Sequence, residues 1–224
     1  MQRHAEYFAN FLHEREACLK GANPEIAANE VETELDNIRV GWGHLVQWAQ
    51  LESVSVAIEA LDAFYSMRAL FDEAEAAFKA AAHAFSIPKT DRGSDRARLA
   101  GLALAFQANH CISQCNNDEA VVLAGHALEF LDEKHEPRET AFATLTWGVA
   151  LVWSGKEQQG FDACKSAIQL YRTQTIVAAP QGHSMCSEWN AEIGRGPTRL
   201  KLTIAKALQS NKPWATKPSL CPIA

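Results

Sequence analysis

Histidine and cysteine are the residues of this chain most able to bind a metal or to act in catalysis. The chain contains eight histidines and six cysteines. A structural zinc site is recognised by ligand pairs at short spacings, such as Cys-x2-Cys, and Cys111 and Cys115 have no matching second pair. His183 and Cys186 come nearest to such a spacing. We therefore predict no metal site, and we expect Cys111, Cys115 and Cys164 to be packing residues.

Nucleophilic catalysis requires a nucleophile, a base and an orienting group in contact. Ser184 and Cys186 lie beside His183, but triad members usually meet through the fold, and neither Gly-x-Ser-x-Gly nor a cysteine-protease signature occurs. The only Gly-Lys pair, Gly155-Lys156, lacks the following Ser or Thr of a phosphate-binding loop. We predict that the protein is not an enzyme and has no cofactor. A hydrolase that depends on His183 or Cys186 is the alternative.

Two runs of carboxylates could in principle form general acid and base pairs. They are Glu30-x-Glu32-x-Glu34-x-Asp36 and Asp72-Glu73-x-Glu75. Such runs are also typical of solvated helix faces and of first helical turns, where the helix dipole favours negative charge. We interpret both runs in this second way.

The composition is that of an ordinary globular chain. Its 224 residues are 47% hydrophobic and 21% charged, with a formal net charge of −6. Since an acidic chain gains little from a polyanion, we do not expect a nucleic acid partner. The longest nearly uncharged run, residues 141–153, is shorter than the roughly 20 residues of a membrane span, and no secretory signal is recognisable. These features predict a cytoplasmic protein without membrane contact.

Apolar residues recur at helical spacing up to about residue 173. Ile58, Leu61 and Tyr65 follow one another at steps of three and four residues, as one face of a helix requires. Turn signals divide the pattern, and Ser154-x-x-Glu157 has the spacing of a capping box. The predicted helices lie near residues 2–20, 24–49, 51–69, 71–86, 95–114, 118–133, 138–153 and 156–172. This is an all-α chain.

Small residues recur seven positions apart in the second helix of three successive helix pairs. They are Ala74 with Ala81, Ala120 with Ala127, and Gly160 with Ala167. Residues seven apart share one helix face, and small side chains there let a paired helix approach closely. The short turns predict that consecutive helices are antiparallel neighbours. The pattern therefore predicts repeated helical hairpins.

Residues 51–173 resemble tetratricopeptide repeats. In the first pair, the family positions for Leu, Tyr, Ala, Phe and Ala are held by Leu61, Tyr65, Ala74, Phe78 and Ala81. Asp62 stands where Gly is usual, whereas the third pair has that glycine as Gly148. The middle pair keeps Ala108, Ala120 and Ala127. The resemblance implies a right-handed array of antiparallel helical hairpins.

The first fifty residues resemble the segment that introduces the repeats in bacterial STAND-type signalling ATPases and related transcription regulators. The similarity rests on Arg3-His4-Ala5-x-Tyr7-Phe8, on Glu34-Leu35-Asp36-Asn37-Ile38-Arg39 and on Trp48-Ala49. Gly41 and Gly43 depart from the alanines common there. The resemblance implies a sensor or scaffold portion, with an ATPase or regulator portion encoded upstream. A remnant without independent function is an alternative.

The chain is therefore divided into three parts. Residues 1–50 are expected to be a helical pair that leads into the array, and residues 51–173 to be three tetratricopeptide-like hairpins. Residues 174–224 are expected to be a Pro-rich basic tail, partly helical or disordered. This tail has six basic residues against two acidic ones. A DNA-associated regulator that uses the tail to contact phosphate is thus a further alternative.

In the family, the first helix of each hairpin lines a concave face that binds extended peptides or a partner helix. The resemblance implies a non-enzymatic protein-interaction or sensor module of bacterial signal transduction and transcription regulation, with a protein or peptide partner in this groove. The groove positions in the third hairpin are unusually apolar, so simple burial in the core is the alternative for these residues. The groove residues implied are Glu59, Ser66, Leu102, Asn109, Ile112, Phe142, Leu145, Val149 and Val152.

Overall fold

The computed structural model describes residues 2–21, 24–86 and 93–178, apart from the side chains of residues 172 and 174–178. This part of the chain is all-helical and has no strand, which confirms the predicted fold class at that level. His183, Ser184, Cys186 and most of the predicted tail lie outside the described residues. The described helices are α1 (Gln2–Leu19), α2 (Glu25–Thr33), α3 (Leu35–Gln47), α4 (Leu51–Arg68), α5 (Phe71–Phe85), α6 (Asp95–Ser113), α7 (Asn117–Phe130), α8 (Pro137–Trp153) and α9 (Glu157–Ala178).

Three helix boundaries differ from the prediction by more than two residues, and one of them is the end of α7, which lies at Phe130 instead of near residue 133. The helix expected over residues 24–49 is divided at Glu34, whose backbone (φ −102°, ψ 11°) leaves the helical region and whose N–H bonds to the carbonyl of Val31 in a tighter turn. Asn37 donates to the carboxylate of Glu34 at 2.8 Å and stabilises the break. Helix α9 continues to Ala178, beyond the predicted end at residue 172.

The capping box predicted at Ser154 does not form. Ser154 is the C-cap of α8, and its hydroxyl is buried without a hydrogen-bond partner. The amide of Lys156 bonds to the carbonyl of Leu151 and that of Gly155 to Val152, which is a Schellman turn. Gly155 takes the left-handed conformation that this turn requires, with φ +84°.

The same turn ends three further helices. A residue with positive φ follows α3, α4 and α6, namely Ala49, Ala69 and Cys115. In each case the next amide reaches back to a carbonyl of the last helical turn, as Leu70 does to Tyr65. The same backbone turn therefore ends α3, α4, α6 and α8, although only the turn after α8 has a glycine in the left-handed position.

The small residues that are seven apart lie at helix contacts. Ala74, Ala81, Ala120, Ala127 and Ala167 are all fully buried. The closest approach joins α8 to α9, where a Cβ built on Gly148 would lie 2.9 Å from the carbonyl oxygen of Gly160. A Cβ on Gly160 would lie 2.6 Å from the carbonyl oxygen of Gly148. Only residues without a side chain allow this crossing.

Helix neighbours follow a regular order. Helix α1 packs against α4, α4 against α6, and α6 against α8, so that these four form a row. Helices α5, α7 and α9 pack against members of the row. Among the described helices, no contact of similar extent joins α5 to α7 or α7 to α9.

Within the described residues, no helix has the length and apolarity needed to cross a membrane.

Candidate partner-binding face

Three helices of the row, α4, α6 and α8, contain all nine residues predicted to line the groove. These residues differ in exposure. Glu59, Ser66, Asn109 and Phe142 are partly exposed. The other five are buried and belong to the hydrophobic core: Leu102, Ile112, Leu145, Val149 and Val152. Only four of the nine therefore present side-chain surface, and three of those four are polar.

Phe142 is the apolar member of the exposed set, and it is anchored from behind. Its ring centroid lies 5.2 Å from that of Phe106, which lies 5.3 Å from that of Phe78. Phe78 in turn contacts Trp42 and Tyr65 edge to face, at 6.2 and 6.3 Å. Because aromatic pairs of this geometry stabilise packing, a continuous aromatic column fixes the position of Phe142.

Glu59 lies between two cations from distant parts of the chain. Its carboxylate pairs with Lys20, just after α1, and accepts from Arg138 of α8 at 2.9 Å. Lys20 also pairs with Glu16 at 2.6 Å. Burial would raise the pKa of Glu59, but the charges of Lys20 and Arg138 outweigh it and hold this pKa below its ordinary value. Glu59 therefore joins α4 to α8 as an anion.

A second polar bridge joins α4, α6 and α8. Arg98 of α6 donates to Glu139 of α8 at 3.1 Å and to the hydroxyl of Ser55 of α4 at 2.5 Å. The side chains of Arg98 and Glu139 are mostly buried, with 23% and 18% of their surface exposed. Sequence reasoning missed this bridge because its partners are 41 and 43 residues apart.

Asp62, which departs from the tetratricopeptide pattern, has a partner on α6. One of its carboxylate oxygens lies 2.9 Å from Nε2 of His110. The imidazole is 1% exposed and stacks on Phe78, with ring centroids 5.7 Å apart and planes 15° apart. A carboxylate only accepts hydrogen bonds, so Nε2 is the nitrogen that carries the hydrogen.

Tyr65, one turn after Asp62 on α4, links this helix to α5 and α3. Its hydroxyl donates to Glu73 at 3.1 Å, and burial raises the pKa of this phenol above its ordinary value. Glu73 also accepts two hydrogen bonds from Arg39 of α3, at 2.7 and 2.6 Å. The bonds from Arg39 hold the pKa of Glu73 below its ordinary value. These groups join α3, α4 and α5.

The free thiols are poor nucleophiles where they are buried. Burial, together with the charges of Glu75 and Glu119, raises the pKa of Cys111 to about 12, and burial alone raises that of Cys164 to about 12. Both thiols are therefore protonated at neutral pH. Cys115 is free and exposed.

One group of metal-ligating side chains was missed by the spacing argument. Glu75, Cys111 and Glu119 bring their ligand atoms within 4.8 Å of one another. They are 36 and 8 residues apart, so no short ligand motif exists in the sequence. Within the described residues, this is the one group of three or more such side chains.

Comparisons with known proteins add no assignment to this geometry. No protein-family model matches the chain, and neither a curated protein nor a solved structure is significantly similar to it.

Proposed function

We propose that this chain is a tetratricopeptide-like array of helical hairpins that acts as a non-enzymatic protein-interaction or sensor module in bacterial signalling. The proposed partner is a protein or peptide that lies along the row of α4, α6 and α8. This binding needs no cofactor, because shape and a few polar anchors suffice for recognition.

Two features of the helices support the array. The same turn closes α4, α6 and α8, at Ala69, Cys115 and Gly155. The small residues of each following helix are buried, as Ala74 and Ala120 are. Repeated turns followed by repeated close contacts are what a stack of hairpins requires.

The proposal for the binding face rests on a difference in packing between the helices of the row and the helices α5, α7 and α9. Helices α1, α4, α6 and α8 contact one another in sequence, whereas α5, α7 and α9 contact the row more than each other. Helices on the inner side of a curved array lie closer together than those on the outer side. The row is therefore assigned to the concave side, where such arrays bind extended segments.

The exposed groups of the row indicate the chemistry of the partner. Arg138 and Phe142 lie one turn apart on α8, on the same helix face. The side chain of Arg138 is 61% exposed, although it also pairs with Glu59. A carboxylate can bind its guanidinium while an apolar side chain packs on Phe142. We therefore expect a segment that contains an acidic residue next to an apolar one.

The test places a photo-crosslinking amino acid at one position per variant in the full chain, expressed in a bacterial host. Ser66 and Asn109 report on the row, and exposed Ala80 of α5 is the control on the other side. We expect one common partner to crosslink from Ser66 and from Asn109, with the yield reduced at least fivefold at Ala80. Equal yields at all three positions, or no partner from a chain that is folded by circular dichroism, would contradict the proposal.

A further inference from the structure

Helices α5, α6 and α7 each bring one metal-ligating side chain to a common point. Glu75 of α5, Cys111 of α6 and Glu119 of α7 place their ligand atoms within 4.8 Å of one another. Helix α6 packs against both α5 and α7. The three side chains therefore project from packed helices, which restricts their positions more than loops would.

The sulfur atom is the most confined member of this group. Cys111 is fully buried, while Glu75 is half-buried and Glu119 is exposed. The thiol forms no hydrogen bond with another described side chain, and its nearest charged groups include both carboxylates. A buried sulfur without a side-chain partner thus lies beside two carboxylates that reach solvent, and this arrangement gives a cation a route of entry.

The charge around the group is mostly negative, since both carboxylates and one cation, Lys79, act on the Cys111 thiol. In the described part of the chain, neither Glu75 nor Glu119 is in an ion pair. Two carboxylates this close repel each other, and a divalent cation between them would remove that repulsion. Elsewhere on the surface, comparable acids such as Glu73 and Glu59 have an arginine or lysine in contact.

We propose that Glu75, Cys111 and Glu119 form a Zn²⁺ site with a water molecule as the fourth ligand. Zn²⁺ accepts both sulfur and oxygen ligands in tetrahedral geometry, at about 2.3 Å for sulfur and about 2.0–2.2 Å for oxygen. Mg²⁺ and Ca²⁺ prefer oxygen ligands alone, so the thiolate selects against them. When the Zn–S bond forms, the S–H bond of Cys111 breaks and its proton passes to solvent.

Tetrahedral coordination requires ligand atoms closer together than the 4.8 Å within which all three lie here. The bond lengths above place them about 3.3–3.6 Å apart. Glutamate side chains have three rotatable bonds, so Glu75 and Glu119 can close the difference without movement of their helices. The bound ion would join α5, α6 and α7, and it would therefore raise the melting temperature of the array.

The test measures Zn²⁺ binding by isothermal titration calorimetry, and Co²⁺ binding by sulfur-to-metal charge-transfer absorption. It uses the full chain with Cys186→Ser, which removes the His-x2-Cys spacing as a competing site. We expect one ion per chain and a sulfur band with Co²⁺. Glu75→Gln and Glu119→Gln should each weaken binding at least tenfold, and Cys111→Ser should abolish the sulfur band.

The matched control is Cys164→Ser. Cys164 is also free and fully buried, and burial likewise raises its pKa to about 12. Among the described residues, however, it has no pair of carboxylates beside it. This variant should bind Zn²⁺ with unchanged affinity. If Cys111→Ser fails to fold, the two glutamine variants still test whether the site binds Zn²⁺. Their side chains reach solvent, so we expect both variants to fold. Affinity unchanged by both glutamine variants, or Co²⁺ bound without a sulfur band, would overturn the proposal.

Discussion

The carboxylate of Asp62 lies 2.9 Å from Nε2 of His110, and this contact joins α4 to α6 at a position where the tetratricopeptide pattern has glycine. In the third helix pair, Gly148 at the equivalent position lets α8 and α9 touch through their backbones. Asp62 instead extends a charged side chain to the next pair. Helix α4 thus has a polar link to α6 where α8 has a close crossing with α9.

Removal of either partner of this link should destabilise the protein. Asp62→Ala leaves a buried imidazole N–H without an acceptor, and His110→Ala leaves a carboxylate without its donor. A hydrogen bond to a charged group contributes about 1.5–3 kcal/mol. We expect a coupling energy of about 1–3 kcal/mol from the double-mutant cycle, measured by urea unfolding at pH 7. Additive effects of the two substitutions would show that the contact does not contribute to stability.

The glycines at the crossing of α8 and α9 should tolerate no side chain. In Gly148→Ala and Gly160→Ala the new Cβ meets backbone atoms of the other helix, within 2.9 and 2.6 Å, so the helices must separate. Overpacking of this kind costs about 1–3 kcal/mol, and we expect urea midpoints to fall accordingly.

Gly43 is the control for these glycines, because it lies inside α3 with no atom within 4 Å of an added Cβ. Gly43→Ala should stabilise the protein by about 0.5–1 kcal/mol through helix propensity. Stabilisation by all three substitutions would contradict the close crossing of α8 and α9.

Helix positions could be predicted from sequence because their causes are local. Apolar spacing and turn residues lie within a few positions of each helix end, and most observed ends agree with the prediction within about two residues. The buried small residues, such as Ala74 and Ala81, follow from the same local pattern. The break at Glu34 was not predicted, because its cause is a backbone turn rather than a helix-breaking residue.

Contacts across the array could not be predicted, because their partners are far apart in sequence. Glu59 was expected to line the groove, yet it pairs with Lys20 and Arg138, which are 39 and 79 residues away in sequence. Glu75 was interpreted as part of a solvated run and Cys111 as a packing residue, although the two meet beside Glu119. A search for short ligand spacings finds neither arrangement.

Glu59 should make stability depend on pH in the acidic range. Its pKa is held below the ordinary value in the folded state, so its contribution is complete above the unfolded pKa of about 4.3. That contribution is lost as the pH falls through the lower folded pKa. Glu59→Gln should therefore cost about 1–2 kcal/mol at pH 7 and progressively less below pH 4, as measured by urea unfolding.

Glu52, which is exposed on the same helix, is the matched control for Glu59. Glu52→Gln should follow the unmodified protein within about 0.5 kcal/mol at each pH. A loss for Glu59→Gln that is the same at pH 3 and pH 7 would show that the anion between Lys20 and Arg138 does not stabilise the folded state.

The left-handed residue after α4 should accept glycine with a gain in stability. Ala69 has φ +52° and is exposed, and its Cβ makes this conformation costly by about 1–2 kcal/mol. Glycine removes that cost but loses more entropy on folding, so Ala69→Gly should stabilise by about 0.5–1 kcal/mol. Ala80→Gly, at an exposed position inside α5, should instead destabilise by about 1 kcal/mol. Thermal unfolding of the two variants should shift in opposite directions, and a loss of similar size in both would contradict a left-handed turn at Ala69.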